Sequence, residues 1–139
     1  MIQLAMYKGP ARKPLHKLSH FLIKTWFGSE YSHSEVVIDG VCWSSSFRDG
    51  GVRQKVIDLT DGKWDLYPVP EHRKAHALAV FQANEGLGYD KSGVVSYVLR
   101  FVKHRLDKWF CFEICAKALG YAGRADRISP QELINHTKT

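Results

Sequence analysis

The fold is decided by residues 31–46, which read YSHSEVVIDGVCWSSS. The run from Glu35 to Ile38 is typical of a β-strand, because valine and isoleucine favour an extended backbone. Asp39-Gly40 is a strong signal for a two-residue hairpin turn, since both positions of the preferred turn need a positive φ. Residues 41–46 return as the partner strand. The segment therefore predicts an antiparallel β-hairpin.

Two more strands are predicted after the hairpin. A turn over residues 48–51, which reads RDGG, leads into a strand over residues 52–57. Another strand is predicted over residues 64–69, where Pro68 and Pro70 mark its end or an exposed sheet edge, because proline cannot donate to a strand ladder. We therefore expect an antiparallel sheet of about four strands.

Apolar residues recur at helical spacing on both sides of this sheet region. The helical segments are residues 15–27, 71–85, 91–105 and 111–119. Gly120 is placed to end the last of these, because glycine accepts the left-handed conformation at a helix C-terminus. Ser129 begins another helix as its N-cap, with Pro130 at the first position and Glu132 at the third. A helix, an antiparallel sheet and then several helices predict an α+β fold in which the sheet packs against helices.

Length and composition fit a single domain over residues 1–139. The chain is 45% hydrophobic and 24% charged, which excludes a disordered or low-complexity chain. Its net charge of +6 allows binding to phosphates, cell-wall polymers or anionic lipid headgroups without selecting among them. No run approaches the length of about 20 apolar residues that a membrane span needs, and the N-terminus lacks a signal-peptide pattern. We expect a soluble, cytoplasmic protein without a transmembrane segment.

The cysteine pattern indicates free thiols. The three cysteines are Cys42, Cys111 and Cys115, an odd number in a domain large enough to need no disulfide. Cys111 opens a predicted helix, where unpaired backbone N–H groups and the helix dipole favour the thiolate, the form that attacks carbonyls. Cys42 and Cys115 are expected to be packing residues. For Cys111 itself, the alternative is the same buried structural role.

A nucleophilic thiol needs a base, and His33 is the best placed of the seven histidines. It lies at the start of the first hairpin strand, whereas the others fall on predicted helices. Strand alternation puts His33 and Glu35 on one face, so the carboxylate could orient the imidazole as a proton acceptor for Cys111. The alternative is an exposed histidine beside an ordinary surface glutamate.

Four short motifs together resemble one known family. They are SHSE at residues 32–35, GYD at 88–90, WFCFE at 109–113 and SPQEL at 129–133. Their order is similar to that of circularly permuted NlpC-type papain-fold cysteine hydrolases, a group that includes YiiX-like proteins and relatives of lecithin–retinol acyltransferase. In this group the histidine strand precedes the cysteine helix, as it does here. The resemblance spans roughly residues 28–134.

The resemblance implies a permuted papain-like fold with a Cys-His-Glu site. Cys111 would be the nucleophile, His33 the general base and Glu35 the polar third residue. In related proteins that third residue can instead come from the next strand, which here offers Ser44, Ser45 and Ser46. Phe112 stands where the family commonly has serine, which leaves the substrate class open. The reaction would form an acyl-thioester from an amide or ester, in cell-wall peptides or in acyl lipids.

Five further residues are expected to line the substrate cleft. They are Tyr31, Ser45, Arg48, Tyr89 and Trp109. The polar stretch over residues 44–53 reads most simply as a turn, but Arg48 and Arg53 could hold an anionic substrate there. No phosphate-binding loop, dinucleotide motif or paired Cys-x-x-Cys is present, so we expect no cofactor and no metal.

Two functions of other classes stay open. A catalytically inactive binding module would use the basic clusters within residues 11–17 and 100–108, although such charges usually form only a solvated helix face. A host-interaction protein would use the same scaffold as a surface. We expect no specific nucleic-acid partner, and the resemblance implies a bacterial or phage product.

Overall fold

The computed structural model describes residues 1–10, 28–46, 49–86, 88–89, 108–109 and 111–139; at positions 88, 89, 108 and 109 it describes the backbone alone. The helices predicted over residues 15–27 and 91–105 lie outside the described residues. Arg48 and the two basic clusters, except for the Lys108 backbone, lie outside them as well.

The described strands form one sheet. They are β1 (Ile2–Tyr7), β2 (His33–Ile38), β3 (Val41–Ser46), β4 (Gly51–Lys55), β5 (Trp64–Pro68), β6 (Gly88–Tyr89) and β7 (Lys108–Trp109). Their order across the sheet is β5-β1-β2-β3-β4-β6-β7. The five longer strands are antiparallel neighbours, and only the two-residue strands β6 and β7 pair in parallel. The α+β class and the antiparallel sheet are thus confirmed.

The hairpin turn has the backbone conformation that its sequence predicts. Asp39 and Gly40 both have positive φ, at 48° and 86°, as a two-residue hairpin turn of the preferred type requires. Strand β5 lies at the sheet edge, where the prolines predicted it. The sheet is larger than expected, however, because β1 was not predicted. Residues 2–7 read IQLAMY and are almost entirely buried, so they lack the polar alternation that marks a strand covered on one face.

Three α-helices follow the five longer strands. Helix α1 spans Lys74–Asn84 after a 3₁₀ turn at Glu71–Arg73, α2 spans Cys111–Ala118, and α3 spans Pro130–His136. Gly120 ends α2 with φ of +78°, and Ser129 and Glu132 form a reciprocal capping box at the start of α3. These predicted boundaries are confirmed. No helix in the described ranges is long and apolar enough to cross a membrane.

The main core lies between the sheet and the helices. It joins Leu4, Val36 and Trp43 from the strands to Phe81 of α1 and Ile114 of α2, all of them buried. A smaller cluster on the opposite face joins Ala5, Val37 and Cys42, which Ile57, Leu59 and Trp64 partly cover. The faces of β2 therefore differ: Ser34, Val36 and Ile38 face the helices, whereas His33, Glu35 and Val37 face the smaller cluster.

The burial of β1 leads to a stability prediction. Leu4→Ala should lower the free energy of unfolding by about 2–5 kcal/mol, because Leu4 is fully buried and its truncation leaves a cavity in the main core. Gln3→Ala, one residue away on the same strand, should cost less than about 1 kcal/mol. Urea unfolding of both variants measures the difference, and equal losses would contradict the position of β1 in the core.

Candidate active site

The candidate site lies where β2 and β3 stop pairing with each other. In the described sheet, residues 36–38 of β2 pair with residues 41–43 of β3. Beyond them β2 continues to pair with β1 as far as His33, and β3 with β4 as far as Ser46. Helix α2 spans the open ends, since the Cys115 thiol donates to the Ser34 carbonyl at 3.7 Å and lies 4.0 Å from the Ser44 hydroxyl. The strands thus seat α2 against the start of β2.

Cys111 is the first residue of α2, one turn before Cys115, and it is fully buried. Burial raises the pKa of the Cys111 thiol, the nearby Cys115 and Glu35 add to the rise, and the backbone N–H groups of Ser34 and Phe112 only partly offset it. The helix start had predicted a shift toward the thiolate, so the direction of this pKa shift is opposite to the prediction. Desolvation outweighs the helix N-terminus here, and the thiol is protonated near neutral pH.

His33 and Glu35 form the hydrogen bond that strand alternation predicted. His33 Nε2 lies 2.7 Å from Glu35 Oε1, and the imidazole is about one-fifth exposed, with a side-chain accessibility of 20%. An ionised carboxylate can only accept a hydrogen bond, so Nε2 carries the proton. His33 Nδ1 is then left as an acceptor when the ring is neutral. The histidine therefore has the tautomer that a general base needs.

Glu35 is a fully buried carboxylate with a dedicated cation. Arg53 Nη1 donates to Oε2 and Nη2 donates to Oε1, each at 2.6 Å. Burial by itself would raise the pKa of Glu35, but the hydrogen bonds from Arg53 and His33 outweigh it and lower that pKa below its ordinary value. Glu35 is consequently ionised at neutral pH.

Arg53 is held in turn by Asp49, whose Oδ2 accepts from Arg53 Nε at 2.8 Å. The guanidinium is thus paired with two carboxylates, and its binding of an anionic substrate stays a prediction. Sequence reasoning missed its actual role because Glu35 and Arg53 come together through β3, which lies between their strands. The signal available in the sequence was the opposite charge of Glu35 and Arg53. Arg53 on β4 pairs with Ser44 on β3, and Glu35 lies on β2, the next strand across the sheet.

The hydroxyls of Ser32 and Ser34 flank His33 along the chain and are buried, with no hydrogen-bond partner among the residues that the structure describes. Ser34 is fully buried and points toward the helix-covered face, where its backbone contacts both thiols of α2. Unpartnered buried hydroxyls are uncommon in folded proteins because each forfeits its hydrogen bonds to water. The Ser34 hydroxyl is therefore an unpartnered donor, among the described residues, on a residue whose backbone contacts Cys111 and Cys115.

Two of the residues predicted to line the substrate cleft, Tyr31 and Ser45, are buried. Tyr31 is buried, and its hydroxyl donates to Asp65 Oδ2 at 2.6 Å and lies 2.8 Å from the Tyr67 hydroxyl. Burial and these contacts raise the pKa of Tyr31, which keeps it neutral. Ser45 is also buried. Arg48 lies outside the described residues, and for Tyr89 and Trp109 the backbone alone is described.

The cysteines and the possible metal-ligating side chains can be located within the described residues. Cys42, Cys111 and Cys115 are all free, and Cys42 and Cys115 are buried packing residues as predicted. Within the described ranges, no three His, Cys, Asp or Glu side chains converge on a possible metal position.

No protein-family model matches the sequence, and no curated protein gives a significant match. The resemblance to permuted papain-fold hydrolases therefore stays a hypothesis. A function can be assigned to this site only from the geometry of its residues.

The raised pKa of Cys111 predicts slow alkylation. In the folded protein at pH 7, iodoacetamide should modify Cys111 more than about tenfold more slowly than a model thiol, because a pKa shift of one unit already lowers the thiolate fraction tenfold. Peptide mapping after timed quenching measures this rate. The urea-unfolded protein is the control and should react at the model rate. Faster modification of native Cys111 would contradict the raised pKa and support the thiolate that the helix start predicted.

Proposed function

We propose that the protein is a cysteine hydrolase or acyl transferase in which Cys111 is the nucleophile, His33 the general base and Glu35 the residue that orients the base. The observation that carries the proposal is the 2.7 Å bond between His33 Nε2 and Glu35 Oε1. The next residue along the strand, Ser34, has its backbone against both thiols of α2. A base, its orienting carboxylate and a thiol at a helix start are the three parts that thiol acyl transfer needs.

Because the Cys111 thiol is protonated, the first step must include removal of its proton. His33 Nδ1 takes the Cys111 proton as the sulfur attacks the substrate carbonyl, and the carbonyl electrons move onto oxygen. The tetrahedral intermediate collapses to a thioester while the imidazolium returns its proton to the leaving amine or alcohol. Water or another acceptor then attacks the thioester by the reverse sequence. In the described structure His33 bonds Glu35 and lies against Trp64, on the face of the sheet opposite Cys111. This step therefore requires the imidazole to reach Cys111 around the end of β2, where β2 and β3 no longer pair.

Two kinds of donor can stabilise the oxyanion of that intermediate. The first turn of α2 offers backbone N–H groups beside Cys111. The Ser34 hydroxyl, buried and without a partner, adds a side-chain donor on the same face of the sheet. These donors support an acyl-transfer site at Cys111.

The order of the elements along the chain supports the proposed fold family. His33 on a strand, an antiparallel sheet and then Cys111 at a helix start support a permuted papain-like arrangement. We propose an amide- or ester-containing substrate, either a cell-wall peptide or an acyl lipid.

Substitution of Cys111 tests the proposal directly. The wild type should release p-nitrophenol from p-nitrophenyl butanoate and form a butanoyl adduct on Cys111. Cys111→Ala should lower kcat by about 10³-fold or more and abolish the adduct, because the nucleophile is lost. Stopped-flow absorbance and mass spectrometry of the intact protein measure both. Assays with a muramyl peptide and with phosphatidylcholine vesicles then separate the amide and lipid alternatives.

Cys42→Ala is the matched control, since Cys42 is an equally buried thiol that lies within strand β3 and not at a helix start. It should keep both the turnover and the adduct. Wild-type protein that acylates none of its cysteines with any of these substrates would exclude the proposed chemistry.

The proposed oxyanion donor has its own prediction. Ser34→Ala should lower kcat by about 10²-fold with little change in KM, because its hydroxyl would stabilise charge that exists only in the transition state. Ser32→Ala, which removes another unpartnered buried hydroxyl, should have a much smaller effect, since the described contacts between this strand and the thiols come from the Ser34 backbone. Steady-state kinetics of the two variants provide the comparison, and equal losses would rule out a special role for Ser34.

A further inference from the structure

We infer that Arg53 is a positioning residue that keeps His33 neutral in the resting protein by cancelling the charge of Glu35. This inference rests on the proposed function, in which His33 must be neutral to take a proton from Cys111. It assigns a role to a residue on β4 that does not itself contact His33 in the described geometry.

Glu35 is the shared hydrogen-bond partner of His33 and Arg53. Oε1 accepts from His33 at 2.7 Å and from Arg53 at 2.6 Å, while Oε2 accepts from Arg53 at 2.6 Å. Arg53 is mostly buried, with a side-chain accessibility of 14%, and Glu35 is fully buried. Charges at these distances and depths are weakly screened by solvent and interact strongly.

A buried carboxylate alone beside an imidazole favours the imidazolium, because the ion pair relieves the desolvated charge. An imidazolium cannot accept the thiol proton, so an unopposed Glu35 would inactivate the base. The guanidinium supplies the compensating positive charge instead. Glu35 can then hold the Nε2 proton by a hydrogen bond without drawing a second proton onto the ring.

The other titratable groups around Glu35 cannot supply this charge. Cys42 on β3 and both thiols of α2 are the remaining groups whose interaction with Glu35 is recorded in the described structure. Burial raises the pKa of Cys42 to about 11 and that of Cys115 to about 12, so these thiols are neutral near pH 7. Among these described groups, Arg53 is the one with a permanent positive charge.

Asp49, in the turn before β4, holds the Arg53 guanidinium in place. Its carboxylate holds Arg53 Nε at 2.8 Å and also pairs with Lys55 at 3.5 Å. The guanidinium is thereby fixed in the plane that presents both Nη groups to Glu35. Bidentate pairing of this kind is specific to arginine geometry.

The test is the pH dependence of Arg53→Met. The acid limb of the kcat/KM profile should move to higher pH by about one unit, because the proton is now retained by the His33–Glu35 pair. The titration of the His33 ring, followed by NMR of its Cε1–H group, should move in the same direction. Lys55→Met is the matched control: it removes a neighbouring cation of β4 that contacts Asp49 but not Glu35, and both midpoints should stay unchanged.

Two further variants keep the test decisive. Arg53→Met combined with Glu35→Gln removes both charges, and its His33 titration should return toward the wild-type midpoint. Arg53→Lys retains a cation and serves if Arg53→Met does not fold; its His33 midpoint should stay close to that of the wild type, because a positive charge still faces Glu35. An unchanged His33 midpoint in folded Arg53→Met would overturn the inference. If the wild type shows no acyl transfer, the NMR titration still decides the role of Arg53, so failure of the proposed function is recognised separately.

Discussion

The buried ion pair between Glu35 and Arg53 is the constraint on which the site depends. A carboxylate without solvent contact is tolerated only when it is paired and hydrogen-bonded, and Arg53 occupies both of its oxygens at 2.6 Å. Removing one partner of such a pair typically costs about 3–5 kcal/mol, because the other charge is left buried and alone. The pair also reaches across β3, so the histidine on β2 and the turn before β4 belong to one electrostatic unit.

The second constraint is the separation of β2 and β3 beyond residues 36 and 43. Their ends leave main-chain and hydroxyl groups that the other strand does not satisfy, and Cys115 of α2 contacts one group on each strand. This contact fixes the start of α2 beside Ser34. Two effects then meet at Cys111: the helix start favours the thiolate, and burial disfavours it. Burial is the larger, which makes general-base removal of the proton necessary for any chemistry at this thiol.

Local sequence signals predicted the elements that local chemistry controls. Asp39-Gly40 specified the hairpin turn because few residue pairs accept two positive φ values, and Ser129 with Glu132 specified the start of α3 by satisfying free N–H groups. Strand β1 escaped prediction since a strand buried on both faces has no alternation to detect. Likewise, the partner of Glu35 could not be predicted, because it depends on strand order and register.

The sequence by itself determined the α+β class, the central hairpin and the bond between His33 and Glu35, since residues two apart on a strand share a face whatever the rest of the chain does. Only the tertiary structure decided which cation neutralises Glu35, how deeply Cys111 is buried and which hydroxyls stay unpartnered. These properties depend on the electrostatic environment, which is created by groups distant in sequence and by the exclusion of water between the layers.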